Sequence, residues 1–242
     1  MTLPRPCICL VTDRSRLPPS PPDANAELPA LGPLAERLTL AGQAGVDLLQ
    51  IREPDLSAAE LSALVRDVRT RLADAGAAAA SARLVVNERV DVALAAEADG
   101  VHLKSDSIPT ALVRRHVPAG FLVGRSVHSI DEARAAEAEG ADYVIFGTVF
   151  PSGSKPRGHR TAGLDALASV ALAVHVPVLA IGGISLNTVA AAADAGAAGV
   201  AAIGLFFDAS GPMDDLRGRL IQTVAGLRRA FDRPSGPFVP GC

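Results

Sequence analysis

The chain has 242 residues, is 49% hydrophobic and carries a formal net charge of −3, with a pI near 5.9. That balance excludes the basic stripe of a nucleic-acid binder, and 3% aromatic residues with no Trp and one Tyr exclude a base-stacking platform. No run approaches the ~18 uninterrupted apolar residues of a membrane span, and MTLPRPCICLVTD has no long apolar region or small-residue cleavage site, so the expectation is a cytoplasmic protein with neither nucleic-acid nor membrane partners.

The first expected strand is 7–12 (CICLVT). Cys7 and Cys9 lie on one face of it, about 6.6 Å apart at strand rise, which disfavours a bond between them. With Cys242 they make an odd count without a framework, as in a reducing cytosol. Residues 14–32 (RSRLPPSPPDANAELPALG) form a Pro-rich, polar loop, read either as a lid or as a disordered insertion. Then come a helix at about 33–44, a strand at 47–52 (DLLQIR), a helix at 57–76, a strand at 83–87 (RLVVN), a helix at 89–97 and a strand at 100–103 (GVHL). The second half repeats the alternation: helix 108–116, strand 121–127, helix 130–139, strand 142–149, helix 163–174, strand 176–182, helix 185–195, strand 199–205 and helix 213–231. Residues 232–242 read as a loose tail.

Alternation of this kind means a parallel sheet with crossover helices, and continuous apolar strands such as VPVLAIG mean a sheet covered on both faces. Eight units in a length close to the roughly 250 residues of a barrel predict an α/β protein, a single (β/α)8 TIM barrel over 1–231. A doubly wound open sheet is the alternative, but LVTDRSRLPP follows the first strand where a GxGxxG would open a helix. The pairs Ala44-Gly45, Glu139-Gly140 and Ala195-Gly196 each end a helix just before a strand, where a left-handed cap residue is wanted.

Barrel enzymes work at the C-terminal ends of their strands. Gln50 and Arg52 share a face of the second strand and point together into the mouth, where a guanidinium suits a carboxylate or phosphate; the alternative is an outer-face ion pair of Arg52 with Glu53 or Asp55. Asn87 and Glu88 end the third strand, and His102 is placed to line the mouth. Ser126 and His128 share parity on the fifth strand. Ser129-Ile130-Asp131-Glu132 reads as a capping box, which puts His128 before a helix N-terminus whose dipole favours a neutral ring. A neutral imidazole there is a candidate base; a surface histidine beside a cap is the bland reading. Ser152, Ser154 and Lys155 lie in PSGSKPRGHR, either an anion clamp or a solvated loop. Gly182 and Gly183 after the seventh strand, and Ile203 and Gly204 after the eighth, sit where many barrels hold a phosphate on backbone N–H groups; the alternative is that the glycines merely turn the chain.

At these residues the chain resembles the thiamine phosphate synthase/TenI superfamily over about 8–207. The phrases are QIRE (50–53), NERVDVAL (87–94), ADGVHL (98–103), GRSVHS (124–129), ADYVIFGTVF (141–150), SGSK (152–155), AIGGI (180–184) and AGAAGVAAIG (195–204). The resemblance implies a barrel of thiamine biosynthesis that binds a small phosphorylated thiazole. Its synthases join a pyrimidine diphosphate to a thiazole phosphate with Mg²⁺. Here Pro54 replaces their diphosphate lysine, Glu88 stands for one metal-binding Asp and Ser107 for the other, with Asp106 one residue out of register. GRSVHS resembles the TenI-like thiazole tautomerases, whose histidine transfers the proton.

Three readings follow from the resemblance. The leading expectation is a metal-independent isomerase, without a cofactor, that aromatises the carboxythiazole phosphate tautomer with His128 as acid–base. In that reading Arg52 binds the carboxylate, Ser126 and Asn87 orient the ring, and Gly183, Ile203 and Gly204 hold the phosphate. The second is an authentic Mg²⁺-dependent thiamine phosphate synthase. The third is a non-catalytic, thiazole-phosphate-binding regulatory protein. A homo-oligomer is left open.

Overall fold

Eight parallel strands pair in sequence order and close on themselves: β1 (Cys7–Val11), β2 (Leu48–Ile51), β3 (Arg83–Asn87), β4 (Gly100–Leu103), β5 (Leu122–Val127), β6 (Tyr143–Gly147), β7 (Val178–Ile181) and β8 (Gly199–Ala202), with β8 back on β1. This is the expected (β/α)8 barrel, seen in a computed structural model that describes residues 3–17, 31–152, 160–207 and 215–232. Residues 18–30 of the Pro-rich loop, Ser154 and Lys155 of the candidate clamp, and 233–242 of the tail lie outside the described residues. No described helix is long and apolar enough to cross a membrane.

The helices are α1 (Gly32–Gln43), α2 (Ala58–Asp74), α3 (Ala77–Ala80), α4 (Val90–Ala95), α5 (Thr110–Arg114), α6 (Ile130–Ala138), α7 (Gly163–Ala173), α8 (Val189–Asp194), α9 (Gly204–Phe207) and α10 (Leu216–Phe231). Three differences from the sequence reading matter. The helix expected over 57–76 ends at Asp74, and Gly76 at φ 96° starts the separate turn α3. The helix expected from 185 starts at Val189, because Ser185 and Thr188 close a turn first, with Ser185 N–H donating to Thr188 Oγ1 at 2.9 Å. Residues 204–205, read as strand, open the short helix α9. The three glycine stops hold. Gly140 sits at φ 90°, and Ala141 N–H reaches back to the Ala136 carbonyl at 2.9 Å, closing α6 by a left-handed cap. Gly45 and Gly196 do the same for α1 and α8.

One motif repeats at the N-terminal ends of the strands. The residue before an even strand is Asp, and its carboxylate accepts a backbone N–H from the preceding odd strand. Asp47 takes Ile8 at 2.8 Å, Asp99 takes Leu84 at 2.8 Å and Asp142 takes Val123 at 2.7 Å. An arginine holds each: Arg228 on Asp47 at 2.9 Å, Arg83 on Asp99 at 3.0 Å and Arg114 on Asp142 at 2.5 Å. At β7–β8 the position is Ala198, and the clamp is missing. These half-exposed pairs lock strand register at the end remote from the mouth.

Side chains fill the barrel in two separate packings. Outward-facing residues such as Ile8, Leu49, Leu84, Val101 and Val144 meet the helices. Inward-facing ones, Cys7, Cys9, Val11, Leu48, Val85, Leu122, Tyr143, Ile145, Leu179 and Ala201, fill the interior. Cys7 and Cys9 are free, buried thiols on the same face as expected, and burial pushes both well above the usual thiol range.

The interior narrows around Gly124. A Cβ there would lie 2.2 Å from the Tyr143 ring and 2.6 Å from His102 Nδ1. The missing side chain thus makes room for Tyr143 to stack on His102, with ring centroids 5.6 Å apart. Gly124→Ala is expected to destabilise the protein by about 1–3 kcal/mol, read as a lower urea midpoint with unchanged slope. His102 is fully buried, and burial, followed by the nearby Arg125 charge, pushes its pKa down to about 3. The unfolded chain therefore takes up a proton near pH 6.5 that the folded one refuses. Stability from this group is present above pH 6.5 and is lost toward pH 3, at up to about 1.4 kcal/mol per pH unit. Urea unfolding across that window should show the slope in the wild type and a flatter profile in His102→Gln; equal slopes refute it.

Candidate functional site

At the C-terminal ends of β2 to β5 the inward positions become polar. Gln50 is buried at 3% exposure and its Nε2 donates to Asn87 Oδ1 at 3.0 Å. Its Oε1 is buried without a partner. A buried acceptor left open costs free energy, so a donor from a ligand is the natural complement. His102 does not line the mouth as expected; it lies beneath it. Its place near the end of β4 was legible, but not its depth. Its Nε2 is 2.9 Å from Ser126 Oγ and its Nδ1 is 3.3 Å from Tyr143 Oη. Ser126, half-buried, is the upper member of this column. Tyr143 was absent from the sequence-based candidates, although its parity with Gly147 on β6 and the facing Gly124 were both legible.

Arg52 extends exposed beyond β2, and its N–H donates to Thr12 Oγ1 at 2.8 Å. The alternative ion pair with Glu53 or Asp55 is not what forms. Arg14 takes both carboxylates, with Nη1 at 3.1 Å from Glu53 Oε2 and 2.6 Å from Asp55 Oδ1, and its own N–H at 3.1 Å from Glu53 Oε1. Residues 14–16 form a 3-10 turn that brings Arg14 there. Burial pushes the Glu53 carboxyl up, while hydrogen bonds from Thr12 and Arg14 pull it back. Arg14 was read only as part of the loop at 14–32; its ion pairing depends on the path of that loop, which no local pattern specifies.

His128 stands exposed at the end of β5, its ring swung along the rim to β6. Its Nδ1 lies 2.7 Å from the Gly147 carbonyl. A carbonyl only accepts, so Nδ1 carries the proton; in the neutral ring, Nε2 is then the basic nitrogen. The capping box differs from expectation. Ser129 Oγ accepts from Glu132 N–H at 3.1 Å, but the Glu132 carboxylate reaches one residue further and accepts from His128 N–H at 2.8 Å. That bond fixes the backbone that carries the imidazole.

Next along the rim, Gly182 and Gly183 have φ of 95° and 63° and lie against Thr148, Phe150 and Pro151. Phe150 N–H donates to the Gly182 carbonyl at 3.0 Å, and Thr188 Oγ1 donates to the Gly183 carbonyl at 3.0 Å. Ile203 is half-buried between the two packings, and Gly204 opens α9. Ser152 is half-buried beside this turn's partner loop. The structure therefore makes His128, Gly147, Thr148 and Gly182 one contiguous arc over β5 to β7, and Gln50, Asn87, His102 and Ser126 a second over β2 to β5.

The metal ligands implied by the synthase reading centre on Glu88 and the loop at Asp106 and Ser107. Glu88 has φ 68°, a left-handed conformation unfavourable for this residue. Its carboxylate accepts from Lys104 N–H at 2.8 Å and lies 3.5 Å from Lys104 Nζ. The loop carrying Ser105, Asp106 and Ser107 is held by Arg125, which donates to the Ser105, Ser107 and Ile108 carbonyls at 2.9, 3.2 and 2.6 Å. Among the described residues, no group of three or more His, Cys, Asp or Glu gathers to hold a metal. Mg²⁺ is commonly held by one or two carboxylates together with substrate phosphates. With an ammonium already on Glu88, the residues as arranged do not fit a protein-held Mg²⁺.

The family model described as thiamine monophosphate synthase matches residues 24–206. The thiamine-phosphate synthase of Chlorobium luteolum is 34% identical over 212 residues, covering 88% of this chain and 90% of its own. That of Anaeromyxobacter dehalogenans is 44% identical over 180 residues, covering 74% and 78%. Among solved structures, the thiamine phosphate pyrophosphorylase of Pyrococcus furiosus superposes with a TM-score of 0.73 at 28% identity, covering 94% of this chain and 96% of that one. These relatives carry the synthase name, so the tautomerase expectation drawn from GRSVHS finds no support in them and the synthase alternative is favoured. A barrel of this closure, with this polar mouth and this match over most of its length, belongs to the thiamine monophosphate synthase family.

Proposed function

We propose that the chain is a thiamine-phosphate synthase, joining the ring nitrogen of a thiazole phosphate to the methylene carbon of a pyrimidine diphosphate with loss of diphosphate. The observation that carries this reading is the division of the mouth into an uncharged floor and a rim. A neutral, hydrogen-bonding floor of Gln50, Asn87 and Ser126 suits a heteroaromatic ring. The rim, with exposed Arg52 on one side and the turn at Gly182 and Gly183, Ile203 and Gly204 on the other, suits anionic groups. Ser152 belongs to the anion-holding side in this reading. The names and coverage of the relatives support it.

A second reading, the thiazole tautomerase, is favoured by two specific observations. Lys104 occupies the Glu88 carboxylate, with no metal-binding group of three or more His, Cys, Asp or Glu among the described residues, and His128 offers Nε2 as a base at the rim. Proton transfer on a bound thiazole needs a base and an anion site only. Incubating the purified chain with both substrates, with and without Mg²⁺, is expected to yield thiamine phosphate and diphosphate. No product in excess Mg²⁺ removes the synthase. If the carboxythiazole phosphate then exchanges its proton, and His128→Asn lowers that rate by about 10²–10⁴-fold, the tautomerase stands. Binding of thiazole phosphate without either turnover leaves the regulatory reading.

A further inference from the structure

We propose that His102 and Tyr143 are positioning residues that fix the Ser126 hydroxyl as a hydrogen-bond donor to the ligand, so that the ligand atom above Ser126 is an acceptor. The inference rests on the mouth being the substrate site, as proposed above, and adds a direction to one of its contacts. Three groups form a column, with Tyr143 Oη 3.3 Å from His102 Nδ1 and Ser126 Oγ 2.9 Å from His102 Nε2. Tyr143 and His102 are buried, at 0% and 2% exposure, and only Ser126 reaches the mouth. Among the described residues, Tyr143 Oη has no hydrogen-bond partner but His102.

The ring is neutral in this setting, since burial pushes its pKa down to about 3. It therefore holds one proton, and two arrangements exist. With the proton on Nδ1, the imidazole donates to Tyr143 Oη and accepts from Ser126. The tyrosine proton is then left without an acceptor among the described residues, since His102 is the only hydrogen-bond partner of Tyr143 Oη there. With the proton on Nε2, Tyr143 donates to Nδ1, Nε2–H donates to Ser126 Oγ, and every buried donor is paired. An orphaned buried donor costs enough to bias the choice roughly fivefold to a hundredfold. The second arrangement prevails, and in it Ser126 Oγ has already accepted from below. Its own proton is turned up into the mouth. A ring nitrogen, carbonyl oxygen or carboxylate oxygen fits over that proton, and a ligand hydroxyl fits by accepting it through its oxygen.

The direction is measured without any substrate. Long-range ¹⁵N–¹H spectra of the full chain at neutral pH, with His102 assigned by its loss in His102→Gln, are expected to show a neutral ring protonated at Nε2. Protonation at Nδ1, or an imidazolium, overturns the proposal. The coupling to Ser126 is then read by three variants. Ser126→Ala and His102→Leu are expected to raise the KM of one of the two substrates about tenfold, with the other substrate's KM and kcat much less affected. His102→Gln, which keeps an N–H at the place of Nε2–H, is expected to stay within about threefold of wild type. Gln and Leu variants that behave alike overturn it. If His102→Leu fails to fold, the spectra with Ser126→Ala and His102→Gln still decide. If the wild type turns over neither substrate, the functional reading fails, and the ring protonation still tests the direction assigned here.

Discussion

The mouth of this barrel depends on a side chain that is absent. Gly124 leaves the space in which the Tyr143 ring lies against His102, and any Cβ would collide with both. Because β4, β5 and β6 are neighbours in a closed sheet, that stack fixes the height of three strand ends at once. Ser126 stands on His102, and two residues beyond it His128 crosses to the Gly147 carbonyl. A polar column inside a barrel is tolerable only when each buried donor is paired, and this one is paired upward, toward the opening. The packing layer below is apolar and has no such direction.

Stability and chemistry are divided between the two ends. The Asp clamps tie odd strands to even ones at the N-terminal face, each backed by an arginine, and none reaches the mouth. At the opposite face, the charged groups are largely neutralised by one another around β1 to β4, through Arg14 with Glu53 and Asp55, and Lys104 with Glu88. Fixing register at one end frees the other to carry unfavourable features, such as the left-handed Glu88 and the unpartnered Gln50 Oε1. Barrels with the active site at the C-terminal face are built on this separation.

The sequence made periodic features legible and concealed those set by side-chain reach. Strand parity placed Gln50, Asn87 and Ser126 on the inward face, and the Ala-Gly and Glu-Gly pairs marked helix ends through the left-handed region that glycine tolerates. Depth was not legible. His102 and Ser126 share a face in the same sense, yet one is sealed and the other half open, because depth depends on barrel tilt and on Gly124 admitting a ring. Partner choice was not legible either. Arg52 was the expected alternative partner of Glu53, and the chain's path after β1 brings Arg14 there instead. Glu132 illustrates the same limit at short range, since a spacing that predicts a bond to Ser129 N–H is one residue short of the bond that forms.

Internal neutralisation has a consequence for recognition. A rim lined by unpaired cations would attract any anion, and long-range attraction alone carries little shape information. Here Lys104 is engaged by Glu88, and Arg14 by two carboxylates, so these cations contribute little net field at the mouth. What remains near the floor is uncharged and directional: an open acceptor on Gln50, an amide on Asn87 and a hydroxyl on Ser126 whose proton is set from beneath. Directional groups discriminate steeply, because a mismatched ligand leaves a buried donor or acceptor unpaired. On the proposed function, the floor would read ring identity and the anion-binding rim would supply affinity. The floor lies on β2, β3 and β5 and the glycine turns follow β7 and β8, so that the floor can be changed by substitution without dismantling those turns.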